Sequence, residues 1–222
     1  LAGKFKIRMR ITPSLLSADF TRLAEEIRTV EKAGAHGLHL DVMDGHYVPN
    51  LTFGPMVVAA VRRCTDLPLD AHLMIENAPE HIRAYADAGA DAIAVHPEAV
   101  PHLHKTLSDL RALDVRPGLA INPLSPLGSI EEALGAVDYA IVMSVNPGWG
   151  GQRFIDGSMD RIRQVRRLAE RCNPSLEIVV DGGINASRIE AAREAGADVA
   201  VAGSAVFGAA DPAAAVREML TA

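Results

Sequence analysis

The sequence predicts an α/β fold, a single-domain (β/α)8 barrel, and three observations carry that prediction. Eight short apolar runs alternate with helical patterns along the 222 residues, in units of roughly 25 to 28 residues, the length of a right-handed crossover between parallel neighbours. A weak repeat, Ala33-Gly34-Ala35-His36, Ala88-Gly89-Ala90-Asp91, Gly135-Ala136-Val137-Asp138 and Ala195-Gly196-Ala197-Asp198, comes before every second run. The glycine-rich turns follow the sixth, seventh and eighth runs, whereas an open doubly wound sheet usually carries its phosphate-binding turn after the first. Here that first turn, Ser14-Leu15-Leu16-Ser17, has no glycine.

In chain order the predicted strands are 11–16, 37–42, 69–75, 92–96, 116–121, 139–145, 177–180 and 199–202. Between the first two, Asp19 is placed to cap a helix whose apolar Leu23, Ile27 and Val30 recur at helical spacing, with Gly34 as its stop. Comparable amphipathic stretches fill the other gaps. The glycine of each repeat is expected in the left-handed conformation that ends a helix, ahead of strands two, four, six and eight. Leu67-Pro68, Arg116-Pro117 and Asn173-Pro174 lie before or at the start of strands three, five and seven. No linker interrupts the series, so residues 11–222 read as one barrel. Residues 1–10, with Lys4, Lys6, Arg8 and Arg10 and no acid, read as an expression remnant or a trimmed extension.

Composition removes several classes of function. Apolar residues make up 49% of the chain, enough for a large core and too many for disorder. The 22 basic and 28 acidic side chains leave a net charge of −6, and the basic residues are scattered, so nucleic acid is not an expected partner. The longest near-apolar stretch, 199–210, is too short to span a bilayer and is broken by Gly203, Ser204 and Gly208. No membrane is expected. Cys64 and Cys172 stand far apart without a CxxC pattern, which argues against a disulfide framework and for a reducing compartment, the cytoplasm by default.

The chemistry lies at strand ends. Because alternate side chains of a strand share a face, His39, Asp41 and Met43 point one way while Leu40 and Val42 point the other. The polar set is expected at the barrel mouth, where barrels carry their active sites. His72 follows the same logic on the third strand, and Asp181 ends the seventh. Each alone reads equally well as a satisfied core group. Four buried polar groups at equivalent heights, however, are costly without a shared partner. Two imidazoles and two carboxylates without a thiolate suit one divalent ion, Zn, Fe(II), Mn or Co, and ligand type does not separate these. Asp41 and Asp181 are three steps apart around the shorter arc of an eight-stranded circle. They can therefore approach a central ligand from different sides and pass a proton across one carbon.

Three neighbouring glycine-rich turns, Asn146-Pro147-Gly148-Trp149-Gly150-Gly151-Gln152, Gly182-Gly183 and Gly203-Ser204, point to a backbone cradle for an anion such as a substrate phosphate. Met43, Met74 and Met143 fall at strand ends beside the ligands, as a polarizable wall or as plain gap-fillers. The long segment 44–55 is a candidate partial lid. His102-Leu103-His104 and the basic run 161–171 read as solvated helix faces, His36, His46 and His81 receive no role, and His96 is either a substrate contact or structural.

Taken together, Pro13-Ser14-Leu15-Leu16-Ser17-Ala18-Asp19, His39-Leu40-Asp41-Val42-Met43-Asp44-Gly45, Asp70-Ala71-His72-Leu73-Met74, the Asn146 to Gln152 loop, Val180-Asp181-Gly182-Gly183-Ile184 and Ala202-Gly203-Ser204-Ala205-Val206-Phe207 closely resemble the ribulose-phosphate 3-epimerase family. The match runs in order over residues 11–220; Trp149 stands where the family more often has Phe. The resemblance implies interconversion of D-ribulose 5-phosphate and D-xylulose 5-phosphate in the pentose phosphate pathway. It implies one divalent metal per subunit on His39, Asp41, His72 and Asp181, with Asp41 taking the C3 proton and Asp181 returning one to the other face. Ser14 and His72 would touch the substrate beside Met43, Met74 and Met143. Gly148, Trp149, Gly150, Gly151, Gly182, Gly183, Gly203 and Ser204 would grip the phosphate, and the family usually forms homo-oligomers. A proton beside a ketone is acidic only when the developing cis-enediolate oxygens are neutralised, which is what a divalent cation supplies.

Other readings stand beside this one. A 3-epimerase of a 6-phosphorylated ketohexose such as allulose 6-phosphate would differ in pocket length and share the catalytic set. A silent phosphosugar-binding barrel would have lost a ligand or an acid, and none is missing. A metal-dependent hydrolase would need an activated water and no opposed second acid.

Overall fold

A computed structural model describes residues 9–222. Eight strands alternate with helices: β1 (Arg10–Pro13), β2 (Leu38–Met43), β3 (Leu69–Met74), β4 (Ala92–Val95), β5 (Arg116–Ile121), β6 (Tyr139–Met143), β7 (Glu177–Asp181) and β8 (Val199–Ala202). The helices are α1 (Leu23–Lys32), α2 (Pro55–Arg62), α3 (Ala78–Asp87), α4 (Leu103–Ala112), α5 (Glu131–Leu134), α6 (Ser158–Cys172), α7 (Ala186–Ala195), α8 (Ser204–Phe207) and α9 (Pro212–Thr221). Every strand pairing is parallel, in the order β1-β8-β7-β6-β5-β4-β3-β2. A parallel bridge between Ser14 and His39 brings β1 against β2, and the His36 N–H donates to the Ile11 carbonyl at 2.9 Å. The result is a nearly closed (β/α)8 TIM barrel. β1 starts at Arg10, inside the segment assigned to an extension, while residues 1–8 of that segment lie outside the described residues.

Alternation along the strands builds two cores. Outward-facing Leu40, Leu73, Ile93, Leu119, Val142 and Val180 pack on helix residues such as Ile27, Ile82, Leu107 and Ile162. Each such side chain contributes about 1.5–3 kcal/mol when fully buried. Inward-facing residues divide by arc. From β4 to β8 the middle layer is apolar, with Ala94, Ala120, Ile141, Val179 and Val201 in one cluster, while Arg116 and Glu177 turn inward at the lower end and Asp181 at the upper. From β1 to β3, alternation turns Thr12, Ser14, His39, Asp41, Asp70 and His72 inward. That polar arc, joined by Asp181 from the end of β7, sets where the site forms.

Local structure departs from the sequence reading at several points. The first strand stops at Pro13, because the Ser14 hydroxyl accepts from the Leu16 N–H and starts a 3-10 turn over Leu15–Ser17. Asp19 caps a second 3-10 turn, Phe20–Arg22, by accepting from the Thr21 N–H, and α1 begins only after it. Gly34, Gly89 and Gly196 take φ of 100°, 100° and 104°, as helix stops should. Gly135 does not: its φ is −70°, because it follows a single helical turn and continues it. The β5–β6 gap thus holds only a 3-10 turn and α5 rather than a full amphipathic helix. Nor is the basic run on α6 wholly solvated. Arg161 donates to the Asn122 and Ser125 carbonyls, and Arg166 to the Gly196 carbonyl and Asp198. No described helix is long and apolar enough to cross a membrane.

Candidate active site and metal centre

β2 is buried along its whole length, so the side chains that it turns inward must satisfy one another. His39 and His72 are fully buried, Asp41 nearly so, and Asp181 reaches in from the end of β7. His39 Nε2 stands 3.3 Å from Asp41 Oδ1 and 3.6 Å from Asp181 Oδ2. His72 Nδ1 stands 3.2 Å from the same Asp41 oxygen and 3.7 Å from the same Asp181 oxygen. One donor atom from each of the four lies within 4.8 Å of the others.

The electrostatics of this cluster call for positive charge. Burial pulls the His39 imidazole down, but the Asp41 charge, with Asp181 and Asp70, outweighs it and holds its pKa well above the ordinary histidine value. Burial pushes Asp41 up, yet His39 and His72 carry its carboxyl well below the usual carboxylate range. His39 Nε2 is buried without a hydrogen-bond partner and faces both carboxylates. A buried ring nitrogen without a hydrogen-bond partner, two carboxylates and a second imidazole make a nitrogen and oxygen donor set that fits a first-row divalent cation, which would take the place of the proton.

A further layer orients these groups. The Ser14 hydroxyl donates to Asp41 Oδ2 at 2.5 Å, and Thr52 Oγ1 donates to the Asp41 carbonyl at 2.7 Å. Behind His39, Nδ1 meets Asp70 Oδ2 at 2.9 Å, and the Tyr139 hydroxyl donates to Asp70 Oδ1 at 2.5 Å. Behind His72, Nε2 meets Nε2 of His96 at 2.8 Å. His96 is fully buried; burial and then His72 push its pKa well below the ordinary value, so it is neutral. It backs a ligand and is not on the pocket wall. Asp70 stands in a motif of the sequence reading but receives no role there, although it lies two residues before His72 and so shares its face. Tyr139 gives no such signal.

Above the cluster opens a pocket lined by Asp41, Asp181, Ser14, Met43, Met74 and Met143, and by Gly148, Trp149, Gly150, Gly151, Gly182, Gly183, Gly203 and Ser204. His72 is the one named site residue absent from the wall apart from His39; both stand behind, against the two carboxylates. Leu16, Ser17, Val145, Asn146, Pro147, Gln152, Ile184 and Val201 complete the lining without having been singled out. Their signal lies in the motif neighbours: Ser17 closes the Ser14 turn, and Gln152 Nε2 clasps its own loop by donating to the Asn146 and Trp149 carbonyls at 2.6 and 2.9 Å. Gly182 and Gly183 have φ of 119° and 63°, and a Cβ on either would fall 2.4 Å from Val145 Cγ2 or 2.7 Å from the Phe154 nitrogen. Only glycine lets this backbone line the wall there.

The segment after β2 is tied down at its base. Asp44 pairs with Leu51 in an antiparallel bridge, and its carboxylate accepts from the N–H groups of His46, Tyr47 and Glu76. Its Val48 packs beneath the mouth with Met43 and Met74.

The model of the ribulose-phosphate 3 epimerase family matches residues 10–207 of this chain. The chain is 49% identical over 212 residues to the ribulose-phosphate 3-epimerase of Bacillus subtilis (strain 168), covering 95% of this chain and 98% of that one. It is 44% identical to the enzyme of that name from Aquifex aeolicus (strain VF5), covering 94% of each, and 45% identical to the chloroplastic ribulose-5-phosphate-3-epimerase of Arabidopsis thaliana, covering 93% and 74%. Among solved structures, a 3-hexulose-6-phosphate synthase superposes with a TM-score of 0.71 at 21% identity, covering 96% of this chain and 98% of that one. KGPDC from Streptococcus mutans gives 0.71 at 15%, covering 96% and 95%. At such identities the two structures speak for the fold alone.

Proposed function

The chain belongs to the ribulose-phosphate 3-epimerase family, and from that premise we propose that it interconverts D-ribulose 5-phosphate and D-xylulose 5-phosphate by moving the C3 proton from one face of the sugar to the other. The observation that carries this reading is the pair of carboxylates from β2 and β7, brought to one cluster of two imidazoles at the floor of a glycine-walled pocket.

His39, Asp41, His72 and Asp181 would hold one divalent ion, Zn, Fe(II), Mn or Co. When bound, that ion supplies Lewis-acid stabilisation of negative charge developing on the sugar oxygens, an effect of several kcal/mol, with each 1.36 kcal/mol worth about tenfold in rate. Asp41 takes the proton from C3. Its Oδ2 is already the acceptor of the Ser14 hydroxyl, which also lines the pocket and can turn to a substrate hydroxyl. Asp181 delivers a proton to the opposite face, and in the reverse direction the two exchange roles. Met43, Met74 and Met143 border the pocket with surfaces that neither donate nor ionise, which keeps water from quenching a planar intermediate. The glycine loops at 148–151, 182–183 and 203–204 hold the phosphate and fix the register of the sugar carbons over the acids. The free Cys64 and Cys172 support work in a reducing cytoplasm, and family likeness favours a homo-oligomer.

The test is an assay of the purified chain on D-ribulose 5-phosphate in deuterated water, with a 6-phosphorylated ketohexose as the second substrate. Deuterium should enter C3 of the five-carbon sugar, chelator should abolish the exchange, and D41N and D181N should each lower turnover by about 10²–10⁴ or more while the fold persists. Normal rates in both variants would end the two-acid reading.

A further inference from the structure

His39 is gripped from behind by groups that the proton transfer does not use. Its Nδ1 is 2.9 Å from Asp70 Oδ2, and the other Asp70 oxygen accepts the Tyr139 hydroxyl at 2.5 Å. We propose that Asp70 and Tyr139 are positioning residues for the cation site: together they brace the His39 ring across the inside of the barrel and reserve Nε2 as its ligand atom. The inference rests on the metal reading above.

A carboxylate oxygen accepts, so the hydrogen facing Asp70 stays on Nδ1, and the nitrogen that exchanges its proton for a cation is Nε2. That is the atom facing Asp41 and Asp181 with no hydrogen-bond partner of its own. An anionic partner on the far nitrogen also makes an imidazole a stronger donor and fixes its ring plane. The other imidazole of the cluster lacks such backing, since His72 leans on the neutral ring of His96.

The surroundings explain why Asp70 is free for this task. Arg10 and Arg116 line the same lower cavity of the barrel as Asp70, but both guanidiniums pair with Glu177. Among the described residues Asp70 has no guanidinium partner, and its two oxygens are taken by His39 and Tyr139. Tyr139 reaches it from β6, three strands away. Burial, with the Asp70 charge, pushes the phenol pKa well up, so the hydroxyl remains a donor. Gly118 makes the reach possible, because a Cβ there would lie 2.3 to 2.7 Å from three atoms of the Tyr139 ring.

The experiment measures binding of Zn²⁺, Mn²⁺ and Co²⁺ to the metal-free full chain by competition with a chromophoric chelator, for wild type, D70N and Y139F. Thermal unfolding of each metal-free protein checks the fold, and the visible Co²⁺ spectrum reports on ligand geometry. The expected result is a roughly 10- to 100-fold weaker affinity in D70N with shifted Co²⁺ bands, a loss of less than about tenfold in Y139F, and an unchanged sugar KM at saturating metal. Wild-type affinity and an unshifted spectrum in D70N would overturn the brace while leaving the metal reading in place. Failure of the wild type to bind any of the three ions would remove both. If D70N does not fold, Y139F decides, and an affinity equal to wild type in that variant overturns the proposal.

Discussion

Replacing Gly118 with alanine adds one methyl group and should disturb a cluster it never touches. The added carbon would meet Tyr139 Cζ at 2.3 Å and Cε1 at 2.5 Å, where carbon atoms rest at about 3.5–4.0 Å. The ring must therefore retreat by about 1.2 Å, the shortfall from that contact distance. It cannot bend, but the lower cavity that it lines gives it room, so the chain should still fold. A retreat of that size stretches the 2.5 Å bond to Asp70 beyond hydrogen-bonding range. Overpacking costs about 1–3 kcal/mol and the lost bond to a charged acceptor about 1.5–3 kcal/mol, terms that overlap. We expect G118A to lose about 2–4 kcal/mol, which for a chain of this size lowers the melting midpoint by roughly 5–15 °C. Calorimetry of G118A, Y139V and the double variant supplies the assay. Shrinking Tyr139 removes the clash, so the double variant should be less destabilised than the sum of the two single ones. Strict additivity, or a G118A midpoint equal to wild type, would refute the reasoning.

Two further outcomes follow from the walls of the pocket. G182A places a side chain at φ 119° and 2.4 Å from Val145, a strain of about 1–3 kcal/mol that the loop relieves by moving; steady-state kinetics should show KM for the phosphosugar raised about tenfold or more, and an unchanged KM would count against the phosphate grip. Asp44 offers a pH signature. Burial would raise its carboxyl, but N–H donors from Glu76, His46 and Tyr47 win and hold it below its ordinary value of 3.8. Its contribution is therefore complete above that value and is lost as pH falls through the lower folded one. Amide exchange over residues 44–52 should accelerate in that acid window in wild type, whereas D44N should exchange faster at neutral pH and show no such step.

Period-two alternation is enough to find His39, Asp41, His72 and Asp181, because each sits at an inward position near a strand end and needs no knowledge of its neighbours. The partners behind them escape it for a geometric reason. Asp70 meets Tyr139 across the hollow of the barrel, from β3 to β6, and His96 meets His72 only because β4 lies beside β3. Alternation says which face a residue takes and nothing about what faces it. The ends of elements mislead where side chains intervene: the apolar Leu15 and Leu16 look like strand until the Ser14 hydroxyl captures the Leu16 N–H. Gly135 is followed by alanine, as Gly34 and Gly196 are, but a helix of one turn needs no left-handed stop. Arg161 and Arg166 fit a charged surface by composition, yet each folds back onto carbonyls of adjacent loops.

The join between the first and second strands is the thinnest part of the cylinder, one bridge from Ser14 to His39 among the described residues. Both members of that bridge also serve the cluster, Ser14 through Asp41 and His39 through its bare nitrogen. A ligand that engages Ser14 on one edge and Asp41 on the other, both of which line the pocket, would therefore stitch the two edges of the wall together, and by linkage it would favour the shut cylinder over one parted at this seam. Under the proposed function, occupancy and hoop strength would become a single equilibrium, with the N-terminal strand tightened by the sugar that the pocket takes.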